Sequence, residues 1–275
     1  MRFALVDGIL TSPSSGLTGV CRACGNPVFA RCGPIRAHHW THRGERVCDS
    51  WHEPRTQWHY AWQDRFPKPW QEFIRYAPSG EKHIADVHTG HGFTIEFQYS
   101  YLKLEERLAR EAFHGNLAWV VSGGRLTRDL PRFLEGLASF QPVWQEGVYV
   151  TPFPERAFPR NWLDCSAPVF FDFANAPKLS DASSLVAQPL WCLLPKRVFG
   201  KAVVLRIPRN TLVRWAHERD QLLPTQTIMT QVARALVMIE RARQAEIVRL
   251  RSIEIGRQQR RVWRPRTKRR RFRRY

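Results

Sequence analysis

Hydrophobic residues recur along this chain at two spacings, and the points where the spacing changes divide it into elements. Between Glu53 and Phe66 the spacing is helical, with Trp58, Ala61, Trp62 and Phe66 on one stripe and His52, Thr56, His59 and Gln63 on another. It then shortens to two, which predicts strands at about 72–77, 82–88 and 93–98. A second helical pattern covers about 102–113, with Leu104, Leu108 and Ala112 as its apolar stripe and Ala109 and Phe113 beside it. The run Leu117-Ala118-Trp119-Val120-Val121 reads as a fourth strand. Helices on both sides of a short mixed sheet make an α/β (α+β) core.

Four zones follow. Residues 1–50 show neither period and read as a loop-rich module with Ser-Pro-Ser-Ser-Gly at 12–16. Residues 51–123 hold the core just described. Residues 124–222 carry the apolar runs Val169 to Phe173, Leu190 to Leu194 and Ala202 to Ile207 between proline-rich connections, a strand-rich region of no assigned role. Residues 223–275 open at Pro224-Thr225 as a helix with Ile228, Val232, Ala235, Leu236, Ile239, Ile247 and Leu250 on its stripe, then become a basic tail.

At 275 residues and 43% hydrophobic the chain can bury a core, which excludes a disordered protein. Its 43 Lys and Arg against 24 Asp and Glu give a formal charge of +19, a field that draws polyanions, so nucleic acid, with DNA first, is the expected partner. Eleven of those cations and no acid lie in residues 257–275. Among them Arg269, Arg270, Arg271, Arg273 and Arg274 suit phosphates, while Trp263, Phe272 and Tyr275 offer faces on which unpaired bases stack. Without those eleven charges the rest still carries +8. The chain lacks an apolar run of the roughly eighteen residues needed to span a bilayer and shows no signal peptide, so a cytoplasmic protein with no membrane partner is expected. Six cysteines are too sparse for a disulfide scaffold and read as thiols, some of them metal ligands.

The metal signal is Cys21-Arg-Ala-Cys24 followed by His39-Trp-Thr-His42. Two thiolates separated by two residues face one tetrahedral ion, and the histidines supply the remaining nitrogens, giving a closed structural Zn²⁺ site. His38, Cys32 and Cys48 stand as substitutes for one ligand. The second signal is Asp86-Val-His88-Thr-Gly-His-Gly-Phe-Thr-Ile-Glu96-Phe-Gln98, two alternating segments about a turn with Gly90 and Gly92. A hairpin symmetric about His91 places Asp86 opposite Glu96, where like charges repel unless a cation lies between them. Ile84, Asp86, His88, Glu96 and Gln98 then share a chemical face, and Ala85, Val87, Phe93, Ile95 and Phe97 share the core face. Mg²⁺ or Mn²⁺ suits such oxygen ligands, with Gln98 placing a water or a phosphate. The plain alternative is a solvated hairpin face, and removing either acid is expected to leave the fold intact or slightly more stable. His83, His88 and His91 read as tolerated polar residues, Asp172 as an edge or paired acid, and Arg110 as either a phosphate contact or a carboxylate clamp.

The order of these motifs resembles the competence protein CoiA-like family, whose core belongs to the PD-(D/E)xK nuclease superfamily. The matching residues are Cys21 and Cys24, His39 to His42, the helix from Trp51 through Glu53 to His59, Ala85-Asp86-Val87, Ile95-Glu96-Phe97-Gln98 with Ser100, Arg110 and Trp119, over residues 19–123. The resemblance implies metal-dependent hydrolysis of DNA phosphodiesters, in uptake, recombination or processing. It implies Asp86, Glu96 and the Phe97 carbonyl as Mg²⁺ or Mn²⁺ ligands, Gln98 where many relatives carry lysine, and Glu53 and His59 as the helix acid and histidine. Gln63 departs from the lysine expected there. The rival expectation is a zinc-stapled DNA- or RNA-binding protein that keeps the fold without cutting.

Overall fold

A computed structural model describes residues 1–44, 48–49, 51, 55–176 and 186–262, with side chains in the last helix to residue 259. The first zone is a small antiparallel sheet of β1 (Ala4–Val6), β2 (Ile9–Thr11), β3 (Thr18–Val20), β4 (Pro27–Arg31) and β5 (His39–His42), in the order β2-β1-β3-β4-β5. The loop-rich expectation for residues 1–50 is therefore corrected. Its strands are three to five residues long, too short for alternation to stand out. Asp7-Gly8 joins β1 to β2 as a two-residue turn, both residues having positive φ (51° and 78°), the geometry that Asp-Gly favours.

The main sheet contains β6 (Gln71–Tyr76), β7 (Lys82–His88), β8 (Thr94–Gln98), β9 (Leu117–Ser122), β10 (Gln141–Pro142), β11 (Val148–Thr151), β12 (Val169–Asp172), β13 (Leu190–Val198) and β14 (Lys201–Ile207). Its order is β10-β11-β14-β13-β12-β9-β8-β7-β6, with β8, β9 and β12 parallel and every other neighbour antiparallel. The helix, three strands, helix and strand anticipated for residues 51–123 appear in that order as α1 (Gln57–Gln63), β6 to β8, α2 (Leu104–His114) and β9, but α1 is half the length expected, starting at its Thr56 cap with Trp51 and Arg55 outside it. Residue 123 marks no break in the sheet. β9 bonds directly to β12, Trp119 pairing with Val169 and Ser122 with Asp172, so the strand-rich region extends the core. β9 and β12 read as nearly continuous apolar runs because both of their faces are covered.

One face carries Val87, Phe93, Ile95, Phe97, Ala118 and Val120, covered by α1, by α4 (Arg209–Glu218) and by the first turns of α5 (Thr225–Val262). The other carries Trp119, Val121, Val169 and Phe171, covered by α3 (Asp129–Leu137) and the irregular segment around Phe158 and Trp162. α2 lies over the charged part of this second face and overturns its expected stripe. It buries Arg107, Arg110, Glu111 and His114 while Leu104 and Leu108 remain 48% and 49% exposed. The α5 stripe packs through Ile228, Val232, Ala235 and Leu236, but Ile239 and Leu250 are exposed. No helix among the described residues is long and apolar enough to cross a membrane. The tail arginines Arg269 to Arg271, Arg273 and Arg274 lie outside the described residues.

Candidate functional site

Asp86 on β7 and Glu96 on β8 come together in the register the hairpin symmetry requires, set by the pairs Val87↔Ile95 and His88↔Thr94. Beyond Val87 the carboxylates replace the backbone ladder. The Asp86 N–H donates to Glu96 Oε1 at 3.2 Å, and the Phe97 N–H donates to Asp86 Oδ2 at 2.9 Å. The solvated-face alternative is excluded, because Asp86, Glu96 and Gln98 are all buried. The expectation that removing an acid leaves the fold untouched is corrected on the same ground. Alanine at either position orphans a buried N–H, which costs about 1–3 kcal/mol.

Two arginines neutralise the pair. Arg55, just ahead of α1, forms an ion pair with Asp86, and Arg110 on α2 donates to Glu96 Oε2 at 3.1 Å while also holding Glu106. Burial, and next the neighbouring Asp86 charge, push the Glu96 carboxyl up to about 8. His114 Nε2 lies 3.6 Å from Glu96 Oε1, and burial together with Arg75 and Arg110 pushes this imidazole down to about 3, so it stays neutral. His59 is buried and works on backbone. With Thr56 it closes the capping box that starts α1, and its Nε2 donates to the Phe97 carbonyl at 2.8 Å. The carbonyl expected to ligate a cation therefore already has a partner. Gln98 donates through Nε2 to Ser100 O and Oγ at 3.2 and 3.4 Å, and its buried Oε1 has no partner among the described residues. Glu53 lies outside the described residues.

The metal cluster differs from its expectation by one ligand. Cys21, Cys24, His42 and Cys48 present ligand atoms that all lie within 4.8 Å of one another and could hold a metal ion such as zinc. His39 does not join them. On a strand, residues three apart point to opposite faces, so β5 turns His42 inward and leaves His39 bonded through Nδ1 to the Ala37 carbonyl at 2.9 Å. Cys48, named in the sequence as a substitute, completes the set, with its Sγ 3.6 Å from His42 Nε2 and that of Cys24 at 3.3 Å. The donors fit the ion: three sulfurs and one imidazole make a closed tetrahedral set. As thiols they crowd, since a hydrogen bond with Cys48 and burial raise the Cys21 thiol far above its ordinary range.

The residues after Cys48 connect the two centres. Asp49 accepts from the His83 ring at 2.9 Å, from the Trp51 N–H at 2.9 Å and from the Ile84 N–H at 3.2 Å. Trp51 stacks on His83 at 3.2 Å between ring centroids, and the Arg110 guanidinium lies 5.5 Å from the Trp51 ring. Arg55 follows on Asp86. Sequence reasoning missed Asp49, Arg55 and His114, whose roles arise from residues distant in the chain, and named Trp51 only as part of a helix. The other histidines have structural partners: His88 meets Thr94, and His91 meets Asp220 and the His217 carbonyl. Asp172 is a paired acid, holding Trp58, Trp62 and Arg209.

No family model, curated protein or solved structure matches this chain. The side chains themselves therefore carry the functional reading.

Two outcomes follow from this geometry. Metal analysis should find about one ion per chain in wild type and in His39→Ala, and a loss of most of it in Cys48→Ala; the reverse pattern would restore His39 as the ligand. In buffer free of Mg²⁺ and Mn²⁺, thermal stability should fall as pH rises from about 4.5 to about 8. In that window folded Glu96 retains a proton that the unfolded chain has released, so the slope of stability with pH is negative. Glu96→Gln should flatten this fall, and an unchanged slope in that variant would place the titration elsewhere.

Proposed function

We propose that the chain is a divalent-metal-dependent nuclease that hydrolyses DNA phosphodiesters at Asp86 and Glu96, with a structural zinc ion in the Cys21, Cys24, His42 and Cys48 cluster. The observation that carries this reading is the buried carboxylate pair, adjacent across splayed strands, with Glu96 raised to about 8 by burial and by its neighbour. A buried acid shifted this far by desolvation and a charged neighbour, Glu96 here, marks a candidate functional site. Asp86 and Glu96 would hold Mg²⁺ or Mn²⁺, and that ion supplies Lewis acidity toward a phosphate and a lowered pKa for water. Arg110 and Arg55 flank the carboxylates and are placed to balance phosphate charge. Gln98 offers beside them a buried acceptor with no partner among the described residues, suited to orienting a water. The zinc cluster has no open ligand position and would act on the fold alone.

A second reading is favoured by a specific observation. Arg55 and Arg110 already neutralise both acids, and His59 occupies the Phe97 carbonyl, as they would in a DNA- or RNA-binding protein that no longer cuts. Cleavage assays on single-stranded, duplex and branched DNA, with and without Mn²⁺ or Mg²⁺, separate the two.

On the cutting reading, Asp86→Asn and Glu96→Gln should each lower Mn²⁺-dependent cleavage by roughly two to three orders of magnitude, the scale of losing a group that stabilises the transition state. Both variants keep an oxygen that can accept the strand N–H groups, so their melting temperatures should stay near wild type. Wild-type cutting without divalent ions, or full activity in Glu96→Gln, would remove the assignment. Deleting residues 257–275 should weaken binding to unrelated nucleic-acid sequences alike and flatten its salt dependence, because cations on phosphates release counterions without reading bases. A truncated chain with the wild-type salt slope would show that the tail has another partner.

A further inference from the structure

The strands β8, β9 and β12 run parallel and end side by side along one edge of the main sheet, at Gln98, Ser122 and Asp172. Open α/β sheets bind ligands outside the carboxyl ends of such strands. A narrow cleft opens there, with Trp162 and Phe171 in its floor and Ser100, Tyr101, Arg125 and Arg132 around it. Ser100 belongs both to this cleft and to the acidic centre, since Gln98 donates to its carbonyl and its hydroxyl. The cleft thus lies within one or two strand spacings of Gln98, about 5–10 Å.

Arg125 and Arg132 form no ion pair with any described residue, unlike Arg55, Arg107, Arg110 and Arg209, which all hold carboxylates. The single acid in the cleft, Asp129, accepts the Leu126 N–H at 3.3 Å, so the rim keeps a net positive charge. The loop presenting Arg125 is fixed in place. A Cβ at Gly123 would stand 2.2 Å from Phe173 Cδ1 and one at Gly124 2.6 Å from Asn175 Oδ1, so only glycine lets this turn pack against the end of β12. Tyr101 is 68% exposed at the mouth and offers a ring to a base. Gln98 Oε1, buried and unpartnered among the described residues, stands at the junction with the acidic pair.

We propose that this cleft is a phosphate subsite for a single nucleic-acid strand, in which Arg125 and Arg132 bind a backbone phosphate and Tyr101 stacks on the adjoining base. The course of that strand past Asp86 and Glu96 rests on the nuclease reading; the subsite itself does not. Guanidinium groups suit the task because they meet phosphate oxygens through paired donors.

The test titrates the full-length chain with a fluorescent twelve-residue oligothymidylate, without divalent ions and at several salt concentrations. Arg125→Ala/Arg132→Ala should bind about tenfold more weakly and lose about 0.7 from the slope of log affinity against log salt, the share of one phosphate on a single strand. Arg36→Ala/Arg43→Ala, which removes the same charge from the N-terminal module, should stay close to wild type, and Tyr101→Ala should weaken binding with no change in slope. An unchanged slope in the cleft variant, or an equal loss in the Arg36/Arg43 variant, overturns the subsite. Cleavage is not read in this experiment, so a chain that binds as expected but never cuts refutes the nuclease reading alone.

Discussion

Burying Asp86 beside Glu96 takes two like charges out of water, where at an effective dielectric of about 20 they repel by about 4 kcal/mol at 4 Å. Two carboxylates so placed call for cations beside them. The surrounding structure is organised around that demand: Arg55 arrives from the start of α1, Arg110 from α2, and Glu96 keeps its proton to about pH 8. The acids in turn hold the strands that carry them. β7 and β8 part beyond Val87, and it is the carboxylates that satisfy the N–H groups of Asp86 and Phe97. The acidic centre is thus a structural joint of the sheet, and conservative amides separate that role from the proposed chemistry where alanine confounds them.

The cysteine cluster bears on the same joint. Cys48 contributes a sulfur to it, and the next residue, Asp49, gathers His83 and the Ile84 N–H, two residues before Asp86 on β7. Trp51 then stacks on His83 and lies against Arg110. An ion bound at Cys48 would fix the neighbouring Asp49 and Trp51, and through their contacts with His83, Ile84 and Arg110 would bear on the acidic centre without touching it. The N-terminal sheet is fastened to the core by further bonds of the same kind, Lys82 to the Ala23 carbonyl and the Arg2 and Phe3 N–H groups to Glu72.

Period and turn residues made the order of elements from α1 to β9 legible, and the register of Asp86 against Glu96 followed from the symmetry of one hairpin. The failures have physical causes. α2 was read from Leu104 and Leu108, yet its packed side faces carboxylates, so the helix buries Arg107, Arg110, Glu111 and His114 and turns leucines to solvent. A hydrophobic pattern cannot report a charged interior. His39 was paired with His42 by a spacing that suits a helix, while the chain there is a strand, and alternation sends the two apart. The continuation of the sheet into β12 was hidden because strand order is set by contacts between residues about fifty positions apart. Arg55 and Asp49 were invisible as site residues for the same reason: each is an ordinary polar residue until its partner is known.

The two functional readings differ in whether the arginine clamp can open. A clamp that served stability alone would leave its arginines orphaned and buried on release, at a cost of several kcal/mol for an unpaired buried charge. Arg110 has an alternative, since Glu106 one turn earlier on α2 already holds its second nitrogen at 2.5 Å. Arg55 keeps 18% of its side chain exposed and can turn to water. A divalent ion entering between Asp86 and Glu96 would therefore displace neither arginine into isolation, and a phosphate arriving with the ion would give both a new anion. Arg110 thus keeps Glu106 as a second partner and Arg55 keeps access to water, so the two readings differ in whether a divalent ion takes the place of these guanidinium groups at Asp86 and Glu96.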